Sequence, residues 1–196
     1  MAAKRNFDSE EVLDRVMRTF WSHGYRGTSL EDLARATGLR KGSLHNAFGN
    51  KEDLFLLALE RYAEVFDTRF NNTFNDPNPE RAIARFLEMV IERMSDPSNP
   101  RGCLSTYACM EWQDLPPKAA AKVLQALQEL EERLTELIEK GQQQGNFASQ
   151  KDARSLARFL IATTRGMATL HKVTGNLDAL RDVANSALTI LSLLSD

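Results

Sequence analysis

The apolar residues of this chain recur at intervals of three and four along nearly its whole length, and nowhere do they alternate in twos. That rhythm keeps one face of an α-helix apolar and gives a β-strand no consistent face, so it predicts an all-α fold. Val12, Val16 and Phe20, flanked by Leu13 and Met17, mark the first helix. Asp8 is placed to cap it, with Glu11 three residues on as in a capping box. Phe7 is placed to staple onto Val12, and His23-Gly24 forms the end. Thr28-x-x-Glu31 reads as a second capping box opening a helix over Ser29–Ala36. Thr37-Gly38 makes a turn, and a third helix runs from about Arg40 to Phe48. Asn50-x-x-Asp53 then opens a long fourth helix through Leu54, Phe55, Leu57, Ala58, Tyr62, Val65 and Phe66.

Beyond Asn71 the Pro-rich loops Asn75–Pro79, Asp96–Pro100 and Leu115–Pro117 separate further helices. These are expected over about Glu80–Met94, Gly102–Trp112, a long segment carrying Val123, Leu127, Leu130, Leu134 and Leu137 in heptad-like steps, Lys151–Val173 and Leu177–Leu194. The expected organisation is a three-helix unit over residues 1–50 and a larger helical domain over 51–196.

At 42% hydrophobic and 27% charged, the composition is that of a folded chain. No run approaches the roughly 18–20 apolar residues of a membrane span. Met1–Asn6 carries Lys4 and Arg5 with no apolar run after it, so no signal peptide and a cytoplasmic location are expected. Two cysteines, Cys103 and Cys109, and three scattered histidines offer neither a disulfide framework nor zinc-ligand spacing, so no metal and no cofactor is expected. No nucleophile–base set or phosphate loop points to an enzyme. Charge is divided unevenly. Residues 1–51 hold nine Lys/Arg against six Asp/Glu, whereas 52–196 hold sixteen against twenty-one. A basic head suits approach to a polyanion.

Thr28–Asp53 reads helix, tight glycine turn, helix, an arrangement that can present its second helix to a DNA major groove. Leu30, Leu33 and Ala34 are placed to pack on Leu39, Leu44 and Phe48, leaving Arg40, Lys41, Ser43, His45 and Asn46 outward. Those are cations for phosphates and donors or acceptors for base edges. Gly42 keeps the helix start slim for close approach. Lys51, at the next helix N-terminus, adds a side chain and free amides that can hold a phosphate.

With FWSHGYRGTS, LEDLARATGL, KGSLHNAF and NKEDLF at these spacings, residues 8–57 resemble the TetR family of bacterial transcriptional regulators. The resemblance implies a homodimer that binds a palindromic operator on double-stranded DNA, usually represses, and leaves DNA when a small-molecule effector binds the C-terminal domain. Carried over by position, Ser29 (with Thr28 beside it), His45 and Lys51 look like phosphate contacts. Arg40, Lys41, Ser43 and Asn46 look like groove contacts. His45 stands where tyrosine is common, Asn46 where histidine is common, and Arg40 where a serine or threonine cap is usual, which makes the operator sequence unreadable. Activation in place of repression depends on operator position.

The family resemblance also implies dimerisation through the last two helices. Ala153, Leu156, Ala157 and Leu160 would supply one face, and Val183, Ala187, Leu188, Leu191 and Leu194 the other. Some of these stripes can equally be internal core. Gly102-Cys103-Leu104 resembles a signature in a branch of TetR-like regulators in which some members respond to oxidants or electrophiles through a cysteine. Two readings stand for Cys103, a sensor beside Arg101 or a buried core thiol. Phe86, Tyr107, Trp112, Phe159, Thr163, Met167 and His171 are the expected effector-pocket lining, as aromatic or polar residues among apolar helices. A helical interaction protein without DNA binding is the rival class, and the retained Lys41, Gly42, Ser43 and Lys51 count against it.

Overall fold

The computed structural model describes residues 7–147 and 151–192, with backbone alone for 66–71. The described residues form nine α-helices and one 3-10 turn, with no strand. They are α1 (Ser9–His23), α2 (Leu30–Thr37), α3 (Lys41–Phe48), α4 (Lys51–Phe74), α5 (Pro79–Ser95), α6 (Leu104–Met110), the 3-10 turn Trp112–Asp114, α7 (Pro117–Gln143), α8 (Ala153–Thr174) and α9 (Leu177–Ser192). The all-α expectation holds, and each helix falls close to its expected place. None of the described helices is long and apolar enough to cross a membrane.

The helix starts follow side-chain capping of amides that lack an intrahelical partner. Asp8 Oδ1 accepts from the backbone N–H of Glu10 at 2.9 Å, while the Glu11 side chain turns to Arg15. Phe7 meets the ring of Phe48 at 5.9 Å. At α2 the expected box is displaced by one residue. Ser29, not Thr28, is the N-cap, and it exchanges hydrogen bonds with Asp32, not Glu31. The cause is burial. Thr28 is 1% exposed and its hydroxyl donates to the carbonyl of Gly24 at 2.7 Å, which leaves the next hydroxyl free to cap. Asn50 and Asp53 close a capping box on α4 as expected, at 2.8 to 3.1 Å.

The chain divides into two compact units, and neither is continuous in sequence. The first comprises Met1–Val65 with Leu104–Val123, the second Phe66–Cys103 with Leu124–Asp196. Helix α4 contributes residues to both units, and the α6 segment packs in the first, against α1.

In the first unit Phe20, Trp21, Leu33, Leu44, Leu54 and Phe55 are fully buried. The rings of Phe20 and Phe55 meet edge to face at 5.0 Å, as do those of Trp21 and Tyr62. This aromatic core holds α1, α2 and the start of α4 as one body, on which α3 is mounted. In the second unit α5, α8 and α9 pack on one another around Ile83, Leu87, Leu160, Leu180 and Leu191. Glu131 on α7 receives Arg154 and Arg158 of α8, at 2.9 and 3.1 Å.

Candidate nucleic-acid interface

Eight residues is too short for a helix to persist alone, so α3 depends on what it buries. Leu44 is its single fully buried side chain, with Ala47 and Phe48 half-buried. Gly38, left-handed at φ 73° and ψ 8°, turns the chain between α2 and α3. Everything else on α3 faces outward. Arg40, Lys41, Gly42, Ser43, His45 and Asn46 are all exposed. Arg40 stands at the N-cap without a side-chain cap bond, and Lys41 forms an ion pair with Glu31 of α2. The structure thus gathers on one exposed helix face two cations, two small polar groups and an imidazole, with Gly42 among them.

The flanking residues are held more tightly than the sequence implies. The Ser29 hydroxyl is engaged with Asp32, and that hydrogen bond holds the Asp32 carboxyl below the usual carboxylate range. Thr28 presents no hydroxyl outward, because it is buried against Gly24. At α4 the amides expected to be free are not: Asn50 Oδ1 takes those of Glu52 and Asp53. Lys51 is half-buried, its ammonium 4.2 Å from the centre of the Tyr25 ring. Burial pulls its pKa down, partly offset by the carboxylate of Glu111.

The chain matches the model of bacterial regulatory proteins of the tetR family over residues 12–58, and that of the tetracyclin repressor-like C-terminal domain over residues 79–187. The second match alone spans more than half of the chain. This protein belongs to the TetR family. It is 30% identical to the HTH-type transcriptional repressor ComR of Escherichia coli over 189 residues, 94% of this chain and 89% of that one. To the HTH-type transcriptional regulator YezE of Bacillus subtilis it is 28% identical, over 97% of this chain and 100% of that one. Among solved structures, a cysteine mutant of the TetR family regulator CifR complexed with 26-bp operator DNA matches with a TM-score of 0.83 and 29% identity, over 95% of this chain and 98% of that one. The TetR-family chain described here is accordingly a DNA-binding transcriptional regulator, and not an enzyme.

In this TetR-family regulator the expected sensing residues fall in both units. Tyr107 and Trp112 belong to the first unit, and Trp112 stands on the 3-10 turn with 41% of its surface exposed. Phe86, Cys103, Met167 and His171 are buried in the second unit, with Phe159 and Thr163 half-buried. Two clefts of that unit are lined by none of these residues. One of about 340 Å³ runs between α5 and α9 past Leu87, Ile91, Arg181 and Leu188, and the other, of about 460 Å³, is bordered by Thr73, Asp76, Arg85 and Met89.

Cys103 is 1% exposed, and its sulfur faces Nη2 of Arg93 at 3.8 Å and Nη1 of Arg165 at 3.7 Å. His171 Nδ1 accepts from the backbone N–H of Gly102 at 3.2 Å, which requires the unprotonated nitrogen there. Burial, and then the charge of Arg101, lower the pKa of this imidazole.

Most of the expected dimer stripes are buried within the single chain. Ala153, Leu156, Ala157, Leu160, Ala187 and Leu191 are buried within the single chain. Val183 and Leu188 are half-buried, and Leu194 lies outside the described residues. The six buried positions belong to the chain's own core. The opposite faces are exposed. Ala162, Gly166, Thr169 and Val173 follow one another at helical spacing on α8, and Asp182, Ser186, Thr189 and Ile190 do so on α9.

Proposed function

We propose that this regulator is a homodimeric repressor which holds a palindromic operator through α3 and releases it when a small molecule binds the second unit. The observation that carries the DNA-reading part is the outward face of α3. Arg40, Lys41, Ser43 and Asn46 serve as groove contacts, His45 and Lys51 as phosphate contacts, and Gly42 admits the sugar-phosphate backbone closely. Ser29 contributes through its place at the α2 N-terminus, and Thr28 by shaping the turn before it. CifR, bound to its operator in a solved structure, supports the same use of this head.

Dimerisation follows best from the exposed stripe Ala162–Gly166–Thr169–Val173 on α8 and its neighbour on α9. Small side chains let helices of two subunits approach closely, and Val173 at 77% exposure and Ile190 at 44% leave apolar surface to cover. A two-fold dimer places two copies of α3 at a fixed separation, matched to half-sites about 34–36 Å apart. Because α4 is rooted in both units, an effector that turns it by a few ångströms misplaces one of the two. Titration of the protein into duplexes tiled across the DNA upstream of its own gene tests the reading. Two chains per bound duplex, with affinity falling steeply as salt rises, is the expected result. A monomer that binds no tile refutes it.

A second route to release is favoured by one observation, the two guanidinium groups that face Cys103. A thiolate is the nucleophilic form of cysteine, and nearby cations stabilise its charge. Oxidants or electrophiles should then weaken operator binding by the wild-type protein and not by Cys103→Ser. An equal response of the two proteins removes this route and leaves the small-molecule route standing.

A further inference from the structure

The turn between α1 and α2 carries two successive backbone amides that no helix satisfies. Both are held by one carboxylate from a residue some 85 positions away. Glu111, which follows α6, accepts from the N–H of Tyr25 at 2.6 Å through Oε2 and from that of Arg26 at 3.3 Å through Oε1. Asp114 Oδ2 then pairs with Nη1 of Arg26 at 3.2 Å. Consecutive amides aimed at one point form a concavity that favours an anion, and here the chain fills it with its own side chain. The fit requires Gly24. With φ at 74°, it leaves the space in which a Cβ would stand 2.6 Å from Glu111 Oε1.

Three consequences meet at this carboxylate. The Thr28 hydroxyl ties back to the Gly24 carbonyl, so holding residues 24–26 fixes the start of α2 at Ser29. The Tyr25 ring lies 4.9 Å from that of Phe55 and under the ammonium of Lys51, so the same hold fixes the start of α4. The negative charge of Glu111 acts on Lys51 directly. Both helix starts border α3. We propose that Glu111, supported by Asp114, is a positioning residue for operator binding: it holds the α1–α2 turn so that Ser29, α3 and Lys51 meet DNA in one fixed arrangement. The inference rests on the DNA-reading role of the head. It adds a residue outside the helix-turn-helix segment that sets specificity without touching DNA.

The test compares wild type, Glu111→Ala, Glu111→Gln and Asp114→Asn, with Glu88→Gln on α5 as a control for loss of an exposed carboxylate. Two duplexes serve as probes: one enriched by the wild-type protein from a randomised library, and a poly(dI-dC) duplex at equal salt. Glu111→Ala should lose about tenfold in affinity for the enriched duplex, the ~1.4 kcal/mol equivalent of one charge-assisted hydrogen bond. Affinity for poly(dI-dC) should hold or rise, since one acidic charge has left the head. Glu111→Gln, which keeps one acceptor oxygen, should recover part of the specific loss, and Glu88→Gln should match wild type on both probes. Amide hydrogen exchange supplies a second readout, and its wild-type arm needs no variant to fold. In the wild type Tyr25 and Arg26 should be protected, and in Glu111→Ala they should exchange at least tenfold faster while Leu33 stays protected.

An unchanged ratio of specific to non-specific affinity in Glu111→Ala overturns the inference and leaves the DNA-reading head intact. So do coil-like exchange rates for Tyr25 and Arg26 in the wild type, or equal losses on both probes. A wild-type protein that enriches no duplex overturns the reading of the head itself, and the inference with it.

Discussion

Truncating Leu44 to alanine should detach the DNA-reading helix while the rest of the molecule survives. Leu44 is fully buried and is the only residue of α3 in that state. The substitution removes three carbons from a site without solvent, which at ~0.8 kcal/mol per carbon costs about 2.4 kcal/mol. If a cavity of roughly 50 Å³ remains after partial collapse, ~24 cal/mol per Å³ adds about 1 kcal/mol. The sum, about 3.5 kcal/mol, is several times what an eight-residue helix gains from its own hydrogen bonding, so the loss falls first on α3. Hydrogen exchange should show the amides of Leu44–Phe48 losing protection while those of α1, around Phe20, keep theirs. Operator affinity should fall by two orders of magnitude or more, because a disordered α3 must be refolded on DNA. The matched control is Leu39→Ala, a half-buried position, with an effect less than half as large. Unchanged exchange in α3, or operator affinity within threefold of wild type, would refute the claim that Leu44 anchors the reading helix.

Lys51→Met keeps the apolar stem beside Tyr25 but removes the charge. If Lys51 holds one phosphate, the slope of log affinity against log salt should shrink by about 0.9 per head with base discrimination intact, as read in titrations at several salt concentrations. Gly42→Ala meets nothing within 4 Å in the free chain, so it should stabilise α3 by roughly 0.5–1 kcal/mol in thermal melts yet weaken operator binding where DNA needs the space. Gly38→Ala is equally unobstructed but sits at φ 73°, so it should destabilise by about 1–2 kcal/mol through backbone strain alone. The fold holds the pKa of His171 below 6.5 by burial and by Arg101. Its contribution to stability is therefore complete above that pH and is lost as pH falls toward the lower folded value, because the unfolded chain takes the proton first. Melting temperature should drop through this window in wild type, and the drop should be smaller in His171→Gln.

Local signals in the sequence proved sufficient for local structure. Capping groups such as Asp8 and Asn50 are read by amides within three or four residues, and Gly38 marks a turn by its own backbone, so these helix ends were legible to within a residue or two. The displaced cap at α2 shows the limit, since whether Thr28 or Ser29 is free to cap is decided by burial against Gly24. The outward face of α3 was legible because a single buried leucine sets the phase of a short helix. Three features were not. The clamp of Glu111 on the α1–α2 turn joins residues with no pattern linking them. The leucine and alanine stripes of α8 and α9 look the same whether they are covered by their own chain or by a second copy, and only the burial of Leu156 and Leu160 in the single chain turns attention to Ala162 and Gly166. Chemical type alone marks the expected pocket residues, and it carries no information on where α6 packs, so Tyr107 and Trp112 fall in one unit and the others in the second.

Base discrimination by Asn46→Ala is the most direct test of the central claim. Wild type and variant are titrated against a panel of operators, each with one base pair changed. If the exposed face of α3 lies on base edges, Asn46→Ala loses about 1–3 kcal/mol of discrimination at one base pair in each half-site and keeps it elsewhere. A loss spread evenly over the panel, or none at any position, would contradict it.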